Sequence, residues 1–130
     1  MIRAAAGRIY QDMIRLPRPV AVALIGILAL IFVLTGTSKL VGSSAQPWNR
    51  RFARWGYPAG SAAIVGALEI LCGVGLLIPK TRRAAAITVI AIMIGAACTH
   101  LIAGEFPRLI PPLLFGSMAF AVWNSPAPNP

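Results

Sequence analysis

Three ionisable residues stand inside, or at the margin of, otherwise apolar stretches: Lys39, Glu69 and His100. A cation, an acid and an imidazole brought together could hold a polar head group or relay a proton. Glu69 is the sharpest of the three. It lies near the middle of its run, where a charged carboxylate facing lipid would cost at least a few kcal/mol. Ala62, Gly66, Glu69 and Gly73 recur at helical spacing on one face, and small residues there allow another helix to approach closely. Glu69 is therefore expected to point toward a neighbouring helix, either protonated or paired with a cation. It either fixes helix packing or takes part in proton or ligand chemistry. Lys39 closes the polar stretch Gly36-Thr37-Ser38-Lys39. It either snorkels to the headgroups or folds inward toward Glu69. His100 shares a face with Met93, Ala96 and Ala97, and is either structural or part of the same polar cluster.

The elements that carry these residues are four apolar runs, at residues 20–37, 61–78, 84–103 and 109–123. The first three are about long enough to cross the hydrocarbon core of a bilayer. The chain has 130 residues, of which 58% are hydrophobic and only 12% charged. That is too little charge to cover a soluble domain of this size, and four such helices in so short a chain cannot all bury one another. The expected fold is all-α, an integral membrane four-helix bundle. Its spans are about 20–38, 61–78, 84–103 and 107–123, within a transmembrane domain at 19–124. No room is left for a separate soluble catalytic domain, and no catalytic motif is present.

The connections are patterned too. Residues 1–18 are basic and mildly amphipathic, which suits a surface helix on the headgroups, and Pro17 and Pro19 break it before the first span. The first span has a basic flank like a signal peptide's, but it is longer than a signal core and reads as uncleaved. Between the first two spans, Trp48, Phe52 and Trp55 fall at i, i+4 and i+7 and share one narrow face. Arg50, Arg51 and Arg54 project from the other side. This predicts an interfacial amphipathic helix, its aromatic face in the lipid and its arginine face toward phosphate. Residues 79–83 and 104–108 form turns, Pro111 and Pro112 fit the first turn of the fourth helix, and the tail 125–130 is Pro-rich and expected to be disordered. The basic residues favour both termini on the cytoplasmic side.

The net charge of +9 is carried by residues at the ends of apolar runs. It implies topology and attraction to anionic lipid headgroups, not nucleic-acid binding, which would want a soluble basic face. Alternating spans put Lys39, Glu69 and His100 in the same half of the bilayer, opposite the 79–83 turn. Such a cluster could hold a polar head such as a quinone ring. A haem would want a second histidine, and three acids in the whole chain cannot supply a di-metal carboxylate site. Cys72 and Cys98 lie too far apart along antiparallel helices for a disulfide and carry no metal-ligand spacing. No metal is expected.

At these residues the chain resembles the DoxX-like family of small bacterial membrane proteins. The resemblance rests on Gly36-Thr37-Ser38-Lys39-Leu40, Trp55-Gly56-Tyr57-Pro58 and Gly66-Ala67-Leu68-Glu69-Ile70 with Gly73. It extends to Leu76-Leu77-Ile78, Thr81-Arg82-Arg83-Ala84-Ala85 and Ala96-Ala97-Cys98-Thr99-His100. It covers most of the chain, about residues 28–123, and implies four transmembrane helices in the bacterial plasma membrane. Family members look like small subunits associated with membrane oxidoreductases, the founding name coming from a quinone-linked system. The resemblance thus implies an accessory or quinone-proximal subunit of a redox assembly. Two other readings stand beside it. One is a structural adaptor that docks on other membrane subunits, or on copies of itself, through small-residue faces. The other is a small oligomeric transporter or channel.

Overall fold

The computed structural model describes residues 1–14 and 16–125. Arg15 and the Pro-rich tail beyond Ser125 lie outside the described residues. Every regular element among them is helical: α1 (Ile2–Ile14), α2 (Arg18–Leu40), α3 (Ala45–Arg54), α4 (Ser61–Leu77), α5 (Arg82–Ile102), a 3-10 turn (Phe106–Leu109) and α6 (Ile110–Asn124). Pro17 caps α2 with a β-region ψ of 140°, and Pro19 sits in its first turn, where a missing N–H breaks no helical hydrogen bond. Pro111 and Pro112 enter α6 in the same way.

Three helical segments are long and apolar enough to cross a membrane: Arg18–Leu40, Arg82–Ile102, and Phe106–Asn124, in which the 3-10 turn runs into α6. The fourth apolar helix, α4, has 17 residues, or about 25 Å at the helical rise, a little short of the ~30 Å hydrocarbon thickness. Leu30, Leu34, Ile64, Leu71 and Ile94 are each 59–67% exposed on the outward faces of these helices. In water such a surface would aggregate; in hydrocarbon it is at home. The chain is a membrane protein.

Packing follows chain order. α2 lies against α4, α4 against α5, α5 against α6, and α6 closes back on α2. The dense core sits toward the end that carries the α4–α5 turn, around Leu28, Leu76, Ala86, Val89 and Ala119, all with no exposed surface. That turn is closed by side chains that take carbonyls at the end of α4. Thr81 Oγ1 donates to the Gly75 carbonyl at 2.8 Å, and Arg82 Nε to the Leu76 carbonyl at 2.8 Å. At the other end the helices leave a half-open cavity between them instead. Phe32 and Phe115, edge to face with centroids 6.5 Å apart, pack on the core and line that cavity. Both cysteines are free, Cys72 buried and Cys98 exposed.

Candidate functional site

The site begins with two glycines. A Cβ on Gly36 would stand 2.5 Å from the Gly66 carbonyl oxygen, and one on Gly66 would stand 2.7 Å from that of Gly36. Only hydrogen at both positions lets α2 and α4 touch backbone to backbone. Lys39 and Glu69 each lie three residues beyond their glycine, on the same helix face. The close approach brings them into contact: Lys39 Nζ donates to Glu69 Oε2 at 2.8 Å, and the side chains are only 6% and 7% exposed. Of the two orientations open to Lys39, the structure has the inward one. Its ammonium also reaches the Thr35 carbonyl at 3.4 Å and lies 4.1 Å from the centre of the Trp48 ring. The small-residue face is consumed by the same contact. Ala62, Gly66 and Gly73 are buried, with Gly73 against Val33 and the Ala29 carbonyl.

α3 lies across this end. Its aromatic face is turned differently from the expectation: Trp48, Phe52 and Trp55 line the cavity and cover the protein's own helices rather than facing lipid. Gly42 and Gly56 at φ +81° and +89° let the chain reverse on either side of α3, a conformation that costs glycine little. The face is then fixed by contacts that only the inward orientation provides. Trp48 Nε1 donates to Ser38 Oγ at 3.1 Å, and Phe52 packs on Trp55 and Tyr57 with ring centroids 5.3 and 5.5 Å away. Arg50 and Arg54 remain on the exposed side, while Arg51 folds over the Trp48 ring at 5.0 Å.

His100 is at the same cavity, but its direct partner is not the Lys39–Glu69 pair. Its Nδ1 lies 2.9 Å from Glu105 Oε2, and its ring meets Trp55 at a right angle, 5.3 Å between centroids. Glu105 lies in the 104–108 turn and is not among the site residues that the sequence singles out. Gly104 at φ +70° turns the chain back, so that the carboxylate five residues on returns to the imidazole. Glu105 also accepts from Arg108 Nη1 at 3.4 Å and faces Arg54 Nη2 of α3 at 3.7 Å. The His100 hydrogen bond, with the charges of Arg108, His100 and Arg54, holds the Glu105 carboxyl below its usual range against a smaller desolvation effect. A second tie joins Tyr57, just after α3, to Thr99 of α5 through their hydroxyls.

The cavity has a volume of about 360 Å³, within the range of small-ligand sites. Aliphatic and aromatic side chains supply most of its wall. The polar groups in that wall are Lys39 with Glu69 and Thr35, the rings of His100, Trp48 and Trp55, and the hydroxyls of Tyr57, Ser61 and Thr99. Among the described residues, no group of three or more His, Cys, Asp or Glu side chains gathers in a way that could hold a metal ion.

A sequence profile of the DoxX-like family matches residues 23–122. The chain belongs to the DoxX-like family. The matched stretch of this DoxX-like protein contains every residue named above as lining the cavity, together with Glu105. α1 lies outside it. No curated protein and no solved structure matches the chain.

Proposed function

We propose that this DoxX-like protein is a four-helix integral membrane protein whose cavity beneath α3 takes the head of a lipid-soluble, quinone-type molecule. In this reading it serves as an accessory, quinone-proximal subunit of a membrane oxidoreductase. The observation that carries the proposal is the cavity itself: an apolar, ring-lined chamber of about 360 Å³ with a buried ion pair in its wall. A flat apolar ring suits the Phe32, Phe115 and Phe52 walls, and ring oxygens suit the hydrogen-bond donors beside them. A bound quinone would supply the electron- and proton-accepting ring. The chain would hold and orient it, exclude water and carry protonatable groups to its edge. The adaptor reading is less favoured, because Gly66 and Gly73 are already covered by α2 and cannot serve a partner.

The protein then lies in a bacterial plasma membrane with both termini cytoplasmic. α3 lies at the opposite interface, Arg50 and Arg54 toward anionic headgroups and its aromatic rings over the cavity. The shortness of α4 is met by local thinning of the bilayer. Other membrane subunits or further copies of the chain complete the assembly.

Glu69→Gln in the native membrane tests this reading. Loss of a linked quinone-dependent activity at an unchanged protein level supports it. Full activity at an unchanged level refutes it. Where the single variant fails to accumulate, Lys39→Met/Glu69→Gln, which removes both charges together, carries the same comparison.

A further inference from the structure

The side-chain donors around the cavity already have acceptors in the protein. The Lys39 ammonium is shared between Glu69, the Thr35 carbonyl and the Trp48 ring. The Thr35 hydroxyl has the Phe32 carbonyl at 3.5 Å and the Glu69 carboxylate within reach. Trp48 Nε1 donates to Ser38 Oγ, and the Ser61 hydroxyl to the Pro58 carbonyl at 2.7 Å. Thr99 Oγ1 donates to the Gly95 carbonyl at 2.9 Å, which leaves the Tyr57 hydroxyl to donate to Thr99. The Trp55 indole nitrogen is buried beside the perpendicular His100 ring and does not front the chamber. A ligand oxygen can take a hydrogen from these groups only by sharing an existing bond. His100 differs. Its Nδ1 lies 2.9 Å from Glu105, whose carboxyl is held below its usual range and is therefore ionised. A carboxylate only accepts, so Nδ1 carries the ring proton. In the neutral ring Nε2 then holds a free lone pair at the cavity that His100 lines. Nε2 meets no partner among the described residues, and it is not sealed in protein, since Trp55 Nε1 is the one buried, unpartnered side-chain nitrogen there.

The surrounding charges suit the neutral ring. The one negative charge of Glu105 already meets Arg108 at 3.4 Å and Arg54 at 3.7 Å. Lys39 and Glu69 cancel one another at 2.8 Å, so a further positive charge on the imidazole would find no counter-charge of its own. We propose that His100 Nε2 accepts a hydrogen bond from the ligand, with Glu105 as its positioning residue, so that the cavity prefers the reduced, hydroxyl-bearing form of a neutral ring compound (a hydroquinone) to the oxidised dicarbonyl form. This rests on the reading of the cavity as a ligand site. A hydroquinone O–H donates to the nitrogen lone pair, whereas a carbonyl oxygen there sets two acceptors against each other. The carboxylate also polarises the ring through Nδ1–H, which strengthens Nε2 as an acceptor. The Glu69 carboxylate is the competing acceptor in the wall, but Lys39 and Thr35 already engage it.

The test uses the full chain in lipid nanodiscs, without oxygen, at pH 8, where an imidazole of ordinary pKa (about 6.5) is neutral. The two probes share one outline: tetramethyl-1,4-hydroquinone carries two hydroxyls, and tetramethyl-1,4-benzoquinone two carbonyls. Affinities are read by equilibrium dialysis against empty nanodiscs. The hydroquinone is expected to bind about tenfold tighter than the quinone, the size of one net hydrogen bond. His100→Phe keeps a ring against Trp55 and removes the acceptor; it should close that gap by weakening the hydroquinone. The chain has a single histidine, so imidazole-15N labelling reads both ring nitrogens directly in the unaltered protein. The free protein should show a protonated Nδ1 and a bare Nε2. The hydroquinone should move the Nε2 resonance upfield, and the quinone should leave it in place. Glu105→Leu releases Nδ1, so the two ring nitrogens should share the proton and the hydroquinone preference should shrink.

Equal affinity for the two probes, or tighter binding of the quinone, overturns the inference and leaves the cavity as a ligand site. A hydroquinone preference that survives His100→Phe assigns the acceptor to another group, Glu69 first, and also overturns it. A proton on Nε2 in the free protein does the same. A preference and a tautomer both unchanged in Glu105→Leu overturn the positioning role. Saturable binding of neither probe overturns the ligand-site reading and this inference with it.

Discussion

Lys39→Met isolates what the buried ion pair contributes. The substitution removes the ammonium that lies 2.8 Å from Glu69 while keeping an unbranched apolar stem, and the carboxylate left behind belongs to a residue only 5% exposed. An unpaired buried charge costs about 3–5 kcal/mol. The carboxyl can limit that loss by taking up a proton. For an ordinary glutamic acid, protonation at pH 7 costs about 3.7 kcal/mol, from 2.7 pH units at 1.36 kcal/mol each. The variant should therefore be destabilised by about 3–4 kcal/mol at pH 7. At pH 5.5 the same proton costs only about 1.6 kcal/mol, so the deficit should shrink by about 2 kcal/mol. Lys39→Met/Glu69→Gln, with no charge left to strand, should recover most of the loss. Reversible unfolding in mixed micelles, followed by tryptophan fluorescence at the two pH values, measures all three quantities. A deficit that does not change with pH, or a double variant as impaired as the sum of the singles, would refute the assignment of a buried, mutually neutralising pair.

Other expectations follow from the same geometry. Gly66→Ala places a methyl 2.7 Å from the Gly36 carbonyl oxygen and 2.9 Å from Lys39 Cβ; a loss of about 1–3 kcal/mol is expected. Gly95→Ala meets nothing within 4 Å and should be neutral or gain up to about 1 kcal/mol, which a melting comparison of the two variants decides. Because the Glu105 carboxyl is held below its usual range, chiefly by the His100 hydrogen bond, its contribution is present above the unfolded carboxylate pKa. It is lost as pH falls through the lowered folded value. The melting temperature of the wild type minus that of Glu105→Gln should therefore decline with acidification below roughly pH 4, and a difference that stays flat down to pH 2 would contradict it. With Cys72 and Cys98 replaced by serine, a membrane-impermeant maleimide should label Arg50→Cys from outside the cell and Lys80→Cys only after lysis; the reverse pattern would invert the proposed orientation.

Much of the frame was legible because hydrocarbon imposes simple rules. Runs of apolar residues, the prolines at 17, 19, 111 and 112 and the turn at 79–83 mark the helices, whose bounds are Arg18–Leu40, Ser61–Leu77, Arg82–Ile102 and Ile110–Asn124. The inward aim of Glu69 followed from the cost of facing lipid and from Gly66 and Gly73 beside it. What could not be read was which apolar medium an apolar face would meet. The spacing of Trp48, Phe52 and Trp55 fixes a shared face, but lipid and cavity are both apolar, so the pattern alone does not choose between them. The choice is made by tertiary contacts with Ser38, Lys39 and His100. Glu105 escaped for a related reason. Its bond to His100 spans five residues and depends on the left-handed Gly104, so it lies outside the i+3 and i+4 pairs that helix periodicity reveals. A usable signal was present in the paired Gly-x-x-Lys and Gly-x-x-Glu patterns at residues 36–39 and 66–69, which put each ionic residue one turn beyond a point where the backbones can meet.

The chamber beneath α3 is the proposed seat for a lipid-soluble ring compound. The most direct measurement is the organic-solvent extract of the protein purified in mild detergent without added ligand, analysed by ultraviolet spectrum and mass spectrometry beside an extract of Lys39→Met/Glu69→Gln. A quinone-type compound in near-stoichiometric amount is expected from the wild type, and its depletion in the variant. The same lipid-only extract from both proteins, with no saturable uptake when a short-chain benzoquinone is supplied, would contradict it.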